Sequence, residues 1–258
     1  MPYQQIEDTE IHYRMSGSGP ALLLLHSLGG SVALWDDVTR TLSKRFTVVS
    51  FDARGHGDSP ARGEISVQRF ARDGALLCAA LGIDRFIPVG LSMGGHAAMQ
   101  IALDTPARVR GVIIADSSAG GRPGGAARVA QAAARIAEIG ADAYAVEYSR
   151  SRLAKAASEA AVRAFADLSR PTIPDVFLLQ LTSIQSQDWT ARLGAIRAPT
   201  LVIVGDEDSS TPVAEAARLR DMIAGANMAV IEGAGHLSVI DKPEAFGTLV
   251  ANFASSIV

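Results

Sequence analysis

One cysteine, Cys78, stands in a chain of 258 residues. That excludes an internal disulfide and any metal cluster built on cysteine, and its place on the apolar side of an expected helix makes it a small core residue. Long apolar runs are also missing: Met1 to Arg14 alternates with polar residues where a signal peptide would need an apolar stretch, and Ala21 to Leu25 is far too short to span a bilayer. Excess charge of one sign is lacking as well. A formal net charge of -3 and a pI near 6.0 leave no basic footprint for nucleic acid. The expectation is a soluble cytoplasmic protein with neither nucleic-acid nor membrane partners. Histidine is scarce too, with 5 in the chain, which shortens any search for a general base.

What is present suits one large α/β domain with an insertion. Apolar residues make up 48% and charged residues 20%, enough for a sizeable core. Tyr3 to Glu7 and Glu10 to Met15 alternate as an antiparallel pair, and Gly17-Ser18-Gly19-Pro20 turns the chain into Ala21 to Leu25, a continuous apolar run of the kind buried on both faces of a parallel sheet. Strand and helix then alternate: Thr47 to Phe51, helix Val67 to Leu81, Arg85 to Val89, helix Gly95 to Asp104, and Gly111 to Ala115. This rhythm predicts a doubly wound, mostly parallel sheet of eight strands. It breaks after Asp116. Residues 118–198 open with Gly120-Gly121-Arg122-Pro123-Gly124-Gly125 and continue as Ala-rich helical segments, so they read as a helical lid. The core, residues 1–117 and 199–258, resumes with Thr200 to Val204, helix Pro212 to Ile223, strand Met228 to Ile231 and a last helix from Pro243. Pro88 falls inside an expected strand, where a ladder hydrogen bond must be missing.

The chemistry begins at Gly90-Leu91-Ser92-Met93-Gly94. A serine between a strand end and a helix start sits on a sharp turn, and glycines two residues to either side remove the Cβ atoms that would clash. The amide of Met93, at the positive end of the following helix, is placed as one donor of an oxyanion hole. Serine needs a base, itself oriented by an acid. His12 lies in the N-terminal hairpin and reads as an exposed strand residue; His26 ends a strand, His56 lies in a Gly-rich loop and His96 in the helix after the serine. His236, in Gly233-Ala234-Gly235-His236-Leu237-Ser238 after the last expected strand, is the best candidate, because strand-end loops meet on one sheet edge. The acid comes from Asp206, Glu207 or Asp208, which compete in the loop after Thr200 to Val204.

With these pieces in view the chain resembles the α/β-hydrolase superfamily over nearly its whole length, on His26-Ser27-Leu28-Gly29-Gly30, Gly90 to Gly95 and the Asp208 and His236 loops. The resemblance implies a triad of Ser92, Asp208 and His236, with Asp208 favoured because the family's acid usually lies four residues before this loop's proline. It implies Leu28 as the second oxyanion donor. It gives a structural role to Asp52-Ala53-Arg54-Gly55-His56-Gly57-Asp58-Ser59, and it makes Asp116 an alternative acid. Ser27-Leu28-Gly29, Gly-Leu-Ser-Met-Gly-Gly and His236-Leu237-Ser238 are similar to strings in 3-oxoadipate enol-lactone hydrolases. The implied activity is hydrolysis of a small ester or lactone through an acyl-enzyme, with no metal or organic cofactor. C–C bond hydrolases and cofactor-free haloperoxidase or perhydrolase-like enzymes share the triad, and a hydrolase-fold ligand receptor is a third alternative. Dehalogenases and epoxide hydrolases need a carboxylate where Ser92 stands. Residues 118–198 hold ten Lys or Arg against seven Asp or Glu, so they carry +3 and the remainder -6. Such a lid suits an anionic substrate; alternatively Arg128, Arg135, Arg150, Arg152 and Arg163 solvate outer helix faces.

Overall fold

The computed structural model describes residues 2–121 and 123–258; Arg122, within the expected glycine-rich opening of the insertion, lies outside them, as does Met1. Eight strands form one sheet: β1 (Tyr3–Ile6), β2 (Thr9–Ser16), β3 (Ala21–Leu25), β4 (Thr47–Phe51), β5 (Phe86–Leu91), β6 (Val112–Ala115), β7 (Thr200–Gly205) and β8 (Asn227–Ile231). Their order is β1-β2-β4-β3-β5-β6-β7-β8, with β1–β2 and β2–β4 antiparallel and the remaining pairs parallel. The helices are α1 (Asp36–Leu42), α2 (Val67–Ala80), α3 (Met93–Asp104), α4 (Gly125–Ile139), α5 (Ala141–Arg150), α6 (Glu159–Ser169), α7 (Asp175–Ser186), α8 (Val213–Met222), α9 (Ser238–Asp241) and α10 (Pro243–Ser256).

The apolar run of β3 serves both faces of the sheet. Leu23 and Leu25 belong to one core, with Phe70, Leu77 and Cys78 of α2 and Ala97 and Ile101 of α3, while Leu22 and Leu24 belong to the other, with Val38 of α1 and Phe246 and Val250 of α10. Side chains alternate between faces along a strand, so an unbroken apolar run is what a doubly covered central strand requires. The α1 region carries no expected element in the sequence reading. It forms because Ser31 caps a 3-10 turn, accepting from the Ala33 amide, and Val32, Leu34, Trp35, Val38 and Leu42 then face the core.

Pro88 sits in central β5. Phe86 accepts from the Arg110 amide at 3.0 Å and Ser92 donates its amide to Ala115 at 2.8 Å, so residues of this parity direct their backbone groups toward β6. The ladder between β5 and β6 spans only Val89–Leu91 on the β5 side, so the missing N–H falls just before that pairing begins, while Pro88 stays in register with Leu23 of β3.

Helices α4 to α7 lie between β6 and β7. Tyr144 and Tyr148 of α5 meet Phe177 of α7 edge-on, with ring centroids 5.7 and 5.0 Å apart, and Tyr148 stacks beside Phe165 of α6. Among the described residues no helix is long and apolar enough to cross a membrane.

Candidate active site

Ser92 occupies the junction of β5 and α3 with φ 55° and ψ -110°, a region L residues seldom adopt. The helix starts at Met93, two residues earlier than the glycine-led start expected from sequence, so Gly94 and Gly95 fall within its first turn. A Cβ on Gly90 would come within 1.9 Å of the Gly94 carbonyl oxygen, and one on Gly94 within 1.9 Å of the Leu25 carbonyl oxygen. Only glycine fits at either place. The Ser117 hydroxyl donates to the Ser92 carbonyl at 3.0 Å, fixing the turn from the β6 side.

The loops after β7 and β8 reach the same edge. Ser92 Oγ lies 2.8 Å from His236 Nε2, and His236 Nδ1 lies 2.8 Å from Asp208 Oδ2. Asp208 Oδ1 accepts from the amides of Ser210 and Thr211 at 2.7 and 2.9 Å, and its Oδ2 accepts from the Thr211 hydroxyl at 2.7 Å. Burial works to raise the Asp208 pKa, but the hydrogen bond and charge of His236 and the Thr211 donors outweigh it and hold the carboxyl well below the usual carboxylate range. An ionised Asp208 accepting at Nδ1 fixes a tautomer in which Nε2 can accept the serine proton. Thr211 was missed in the sequence reading; its place beside the competing acids, just before Pro212, was the available signal.

Asp116 is held elsewhere. Its Oδ1 accepts from the Gly205 amide at 3.0 Å, and its Oδ2 accepts from the Ser238 amide at 3.1 Å and contacts the Ser238 hydroxyl at 2.5 Å. It therefore ties the base of the acid loop to the residue two beyond His236. Burial raises its pKa well above the usual range, and the nearby charge of Asp208 adds to the effect. Asp206 accepts from the Gly233 amide and Glu207 from the Lys155 amide, so both are spent on loop structure.

Leu28 follows β3 on the same edge and lines the cavity that holds Ser92 and His236. Neither the Leu28 nor the Met93 amide donates to another group among the described residues, so both N–H groups are available to a ligand. His26 shapes this loop: its Nδ1 donates to the Ser27 carbonyl at 2.8 Å and its Nε2 accepts from the Ala53 amide at 3.0 Å. Above it, the Tyr148 hydroxyl donates to the Leu28 carbonyl at 3.4 Å. The cavity is about 610 Å³ and is roofed by α4, α5 and α7. His96 lines it too, stacked on Trp189 with centroids 4.8 Å apart; the Trp189 indole N–H donates to Gln100.

His12 corrects the expectation of an exposed strand residue, being 0% exposed with Nδ1 2.6 Å from Asp52 Oδ2. Asp52 is a buried hub that also accepts from the amides of Val32 at 2.6 Å and Asp58 at 3.0 Å, and the loop packs over β2 to satisfy it. His12, Asp52 and Asp58 bring ligand-type atoms within 4.8 Å of one another, yet the Asp52 oxygens are already engaged, which makes the group structural. Arg54 in the same loop is buried and bonds Asp73 at 2.7 Å and Asp8 at 2.8 Å, in line with a structural role.

Three buried histidines predict a pH dependence of stability. Burial lowers the pKa of His26 to about 3, aided by the charge of His56, and lowers those of His56 and His96 to about 4. In the unfolded chain each protonates near pH 6.5. The folded values lie below the unfolded one, so unfolding takes up protons, and stability present above about pH 6.5 is lost as pH falls toward 4. The expected loss between pH 8 and pH 5 is about 2 kcal/mol for each histidine. Urea unfolding at the two pH values measures it; equal or greater stability at pH 5 contradicts neutral buried imidazoles.

Comparison with known proteins agrees with the geometry. A family model described as alpha/beta hydrolase fold matches residues 20–243. The chain is 27% identical to 3-oxoadipate enol-lactonase 1 of Acinetobacter baylyi over 256 residues, covering 93% of this chain and 90% of that protein. The crystal structure of the enol-lactonase from Burkholderia xenovorans LB400 superposes with a TM-score of 0.89 at 27% identity, covering 98% of this chain and 100% of that one. A thermophilic esterase from Thermogutta terrifontis, solved with malate bound, gives a TM-score of 0.89 at 25% identity over 96% of this chain and 94% of that one. The sheet order, the serine at the β5–α3 turn and the match over residues 20–243 together make this chain a member of the alpha/beta hydrolase fold family, and a hydrolase.

Proposed function

We infer that this hydrolase cleaves a small carboxylic ester or lactone through an acyl-enzyme on Ser92. The observation that carries the reading is the unbroken chain from Ser92 Oγ to His236 to Asp208, at 2.8 Å for each link, opening into the cavity of about 610 Å³. His236 Nε2 takes the Ser92 proton as Oγ attacks the carbonyl carbon. The oxyanion lies between the amides of Leu28 and Met93, a contribution typically worth about 3 kcal/mol per donor. The intermediate collapses as the imidazolium protonates the departing alkoxide or enolate; Asp208 stabilises that imidazolium without taking its proton. Water, deprotonated by His236, attacks the acyl-enzyme, and collapse returns the proton to Ser92. No step calls on a metal or organic cofactor. Residues 118–198 act as the lid that selects the substrate, an assignment supported by the placement of Tyr148 over Leu28.

The likeness to an enol-lactonase and an esterase supports C–O cleavage. An enol-lactone and 4-nitrophenyl esters, assayed beside a chromogenic dienoic diketone, test it. Many turnovers per enzyme are expected on the first two, at least tenfold faster than on the diketone. Cleavage of the diketone alone would assign a C–C hydrolase, and binding without turnover would assign a receptor.

A further inference from the structure

Arg152 is the first point where the insertion touches the catalytic loops with both backbone and side chain. It lies in the turn after α5, where its carbonyl accepts from the Leu237 amide at 3.1 Å, immediately beyond His236. Its guanidinium lines the catalytic cavity, donates through Nη1 to the Ser210 hydroxyl, and lies 4.7 Å over the Tyr148 ring. Tyr148 in turn reaches Leu28, so one aromatic side chain links the guanidinium to the oxyanion loop.

The charge of this arginine is unanswered. Among the described residues Arg152 is in no ion pair, and its Nε is buried with no hydrogen-bond partner. A guanidinium half-withdrawn from water with no counter-charge is unfavourable unless a ligand supplies one. Arg135 in the same cavity differs, being neutralised by Glu138 and Glu147 at 2.8 Å each. A guanidinium with no carboxylate partner among the described residues, its Cζ 4.7 Å from an aromatic ring centroid on the wall of a cavity, matches a planar monoanion.

We propose that Arg152 binds a carboxylate carried by the substrate, so that this enzyme acts on carboxylate-bearing esters or lactones. The proposal rests on the esterase or lactonase reading and narrows it. With its backbone pinned beside His236 and its ring support tied to Leu28, the guanidinium holds the far end of the substrate while the carbonyl meets Ser92. Arg152 is thus a binding residue. A purely structural role, fastening the insertion to Ser210, would weaken charged and neutral substrates alike.

The test compares kcat/KM for 4-nitrophenyl hydrogen glutarate, a monoanion, with that for 4-nitrophenyl pentanoate, its neutral counterpart. The wild type is expected to favour the anionic ester at least tenfold. In Arg152→Gln that ratio should fall at least tenfold, mainly through KM, and Arg152→Lys should retain part of it. A ratio unchanged within twofold in either folded variant, or a wild-type preference for the neutral ester, overturns the proposal. Binding is read separately in Ser92→Ala, where glutarate should raise the Tm by about 2–4 °C, an effect lost in the Ser92→Ala, Arg152→Gln double variant. Absence of turnover on both esters would defeat the hydrolytic reading, whereas absence of a glutarate shift defeats the carboxylate site.

Discussion

Replacing Ser92 with alanine is expected to lower kcat for any ester or lactone by about 10⁴- to 10⁶-fold, because the acyl-enzyme has no other atom on which to form. The fold should survive. Alanine meets the same positive-φ strain as serine, and the lost hydrogen bond to His236 costs about 1 kcal/mol. His236→Ala should lose about as much activity, and the Ser92→Ala, His236→Ala double variant should be no worse than either single change, since the two residues act as one unit. Steady-state rates with a nitrophenyl ester, paired with thermal unfolding, make the comparison. A double variant slower by the product of the single effects would mean that the two side chains act independently.

The second large effect separates the two buried acids. Asp208→Asn should reduce kcat by about 10³- to 10⁴-fold: an amide presented to His236 Nδ1 favours the wrong tautomer and offers no charge to the imidazolium. Asp116→Asn should act mainly on stability. Asp116 receives the amides of Gly205 and Ser238 on different oxygens, so the asparagine NH₂ must face a donor, at a cost of about 1–3 kcal/mol. Its kcat should stay within about tenfold of the wild type, because no Asp116 oxygen is bonded to the His236 ring. If Asp116→Asn removed activity while Asp208→Asn preserved it, the assignment of the acid would be reversed.

What could be read from sequence follows the range of the interactions. The serine turn was legible because its requirements are local: Gly90 and Gly94 stand two residues from Ser92, and any Cβ there meets backbone. Asp208 and His236 were legible because they follow the last two strands of a parallel sheet, whose ends all open on one edge. His12 was misread because its burial depends on Asp52, a residue 40 positions away that folds over β2. Helix α1 was overlooked because its nucleus is a short capped turn rather than a sustained apolar period. The roles of Tyr148 and Arg152 depend on how the inserted helices pack. Charge counts marked that insertion as basic, yet four of its arginines, Arg135, Arg150, Arg170 and Arg192, are paired with carboxylates. Only the packed helices reveal that Arg152 turns inward.

The most direct measurement of the central claim is intact-mass and peptide mass spectrometry after treatment with a fluorophosphonate. One phosphonyl group per chain, located on the peptide containing Ser92 and absent from Ser92→Ala, is the predicted result. An unlabelled protein, or a label placed on another residue of the folded enzyme, would contradict Ser92 as the nucleophile.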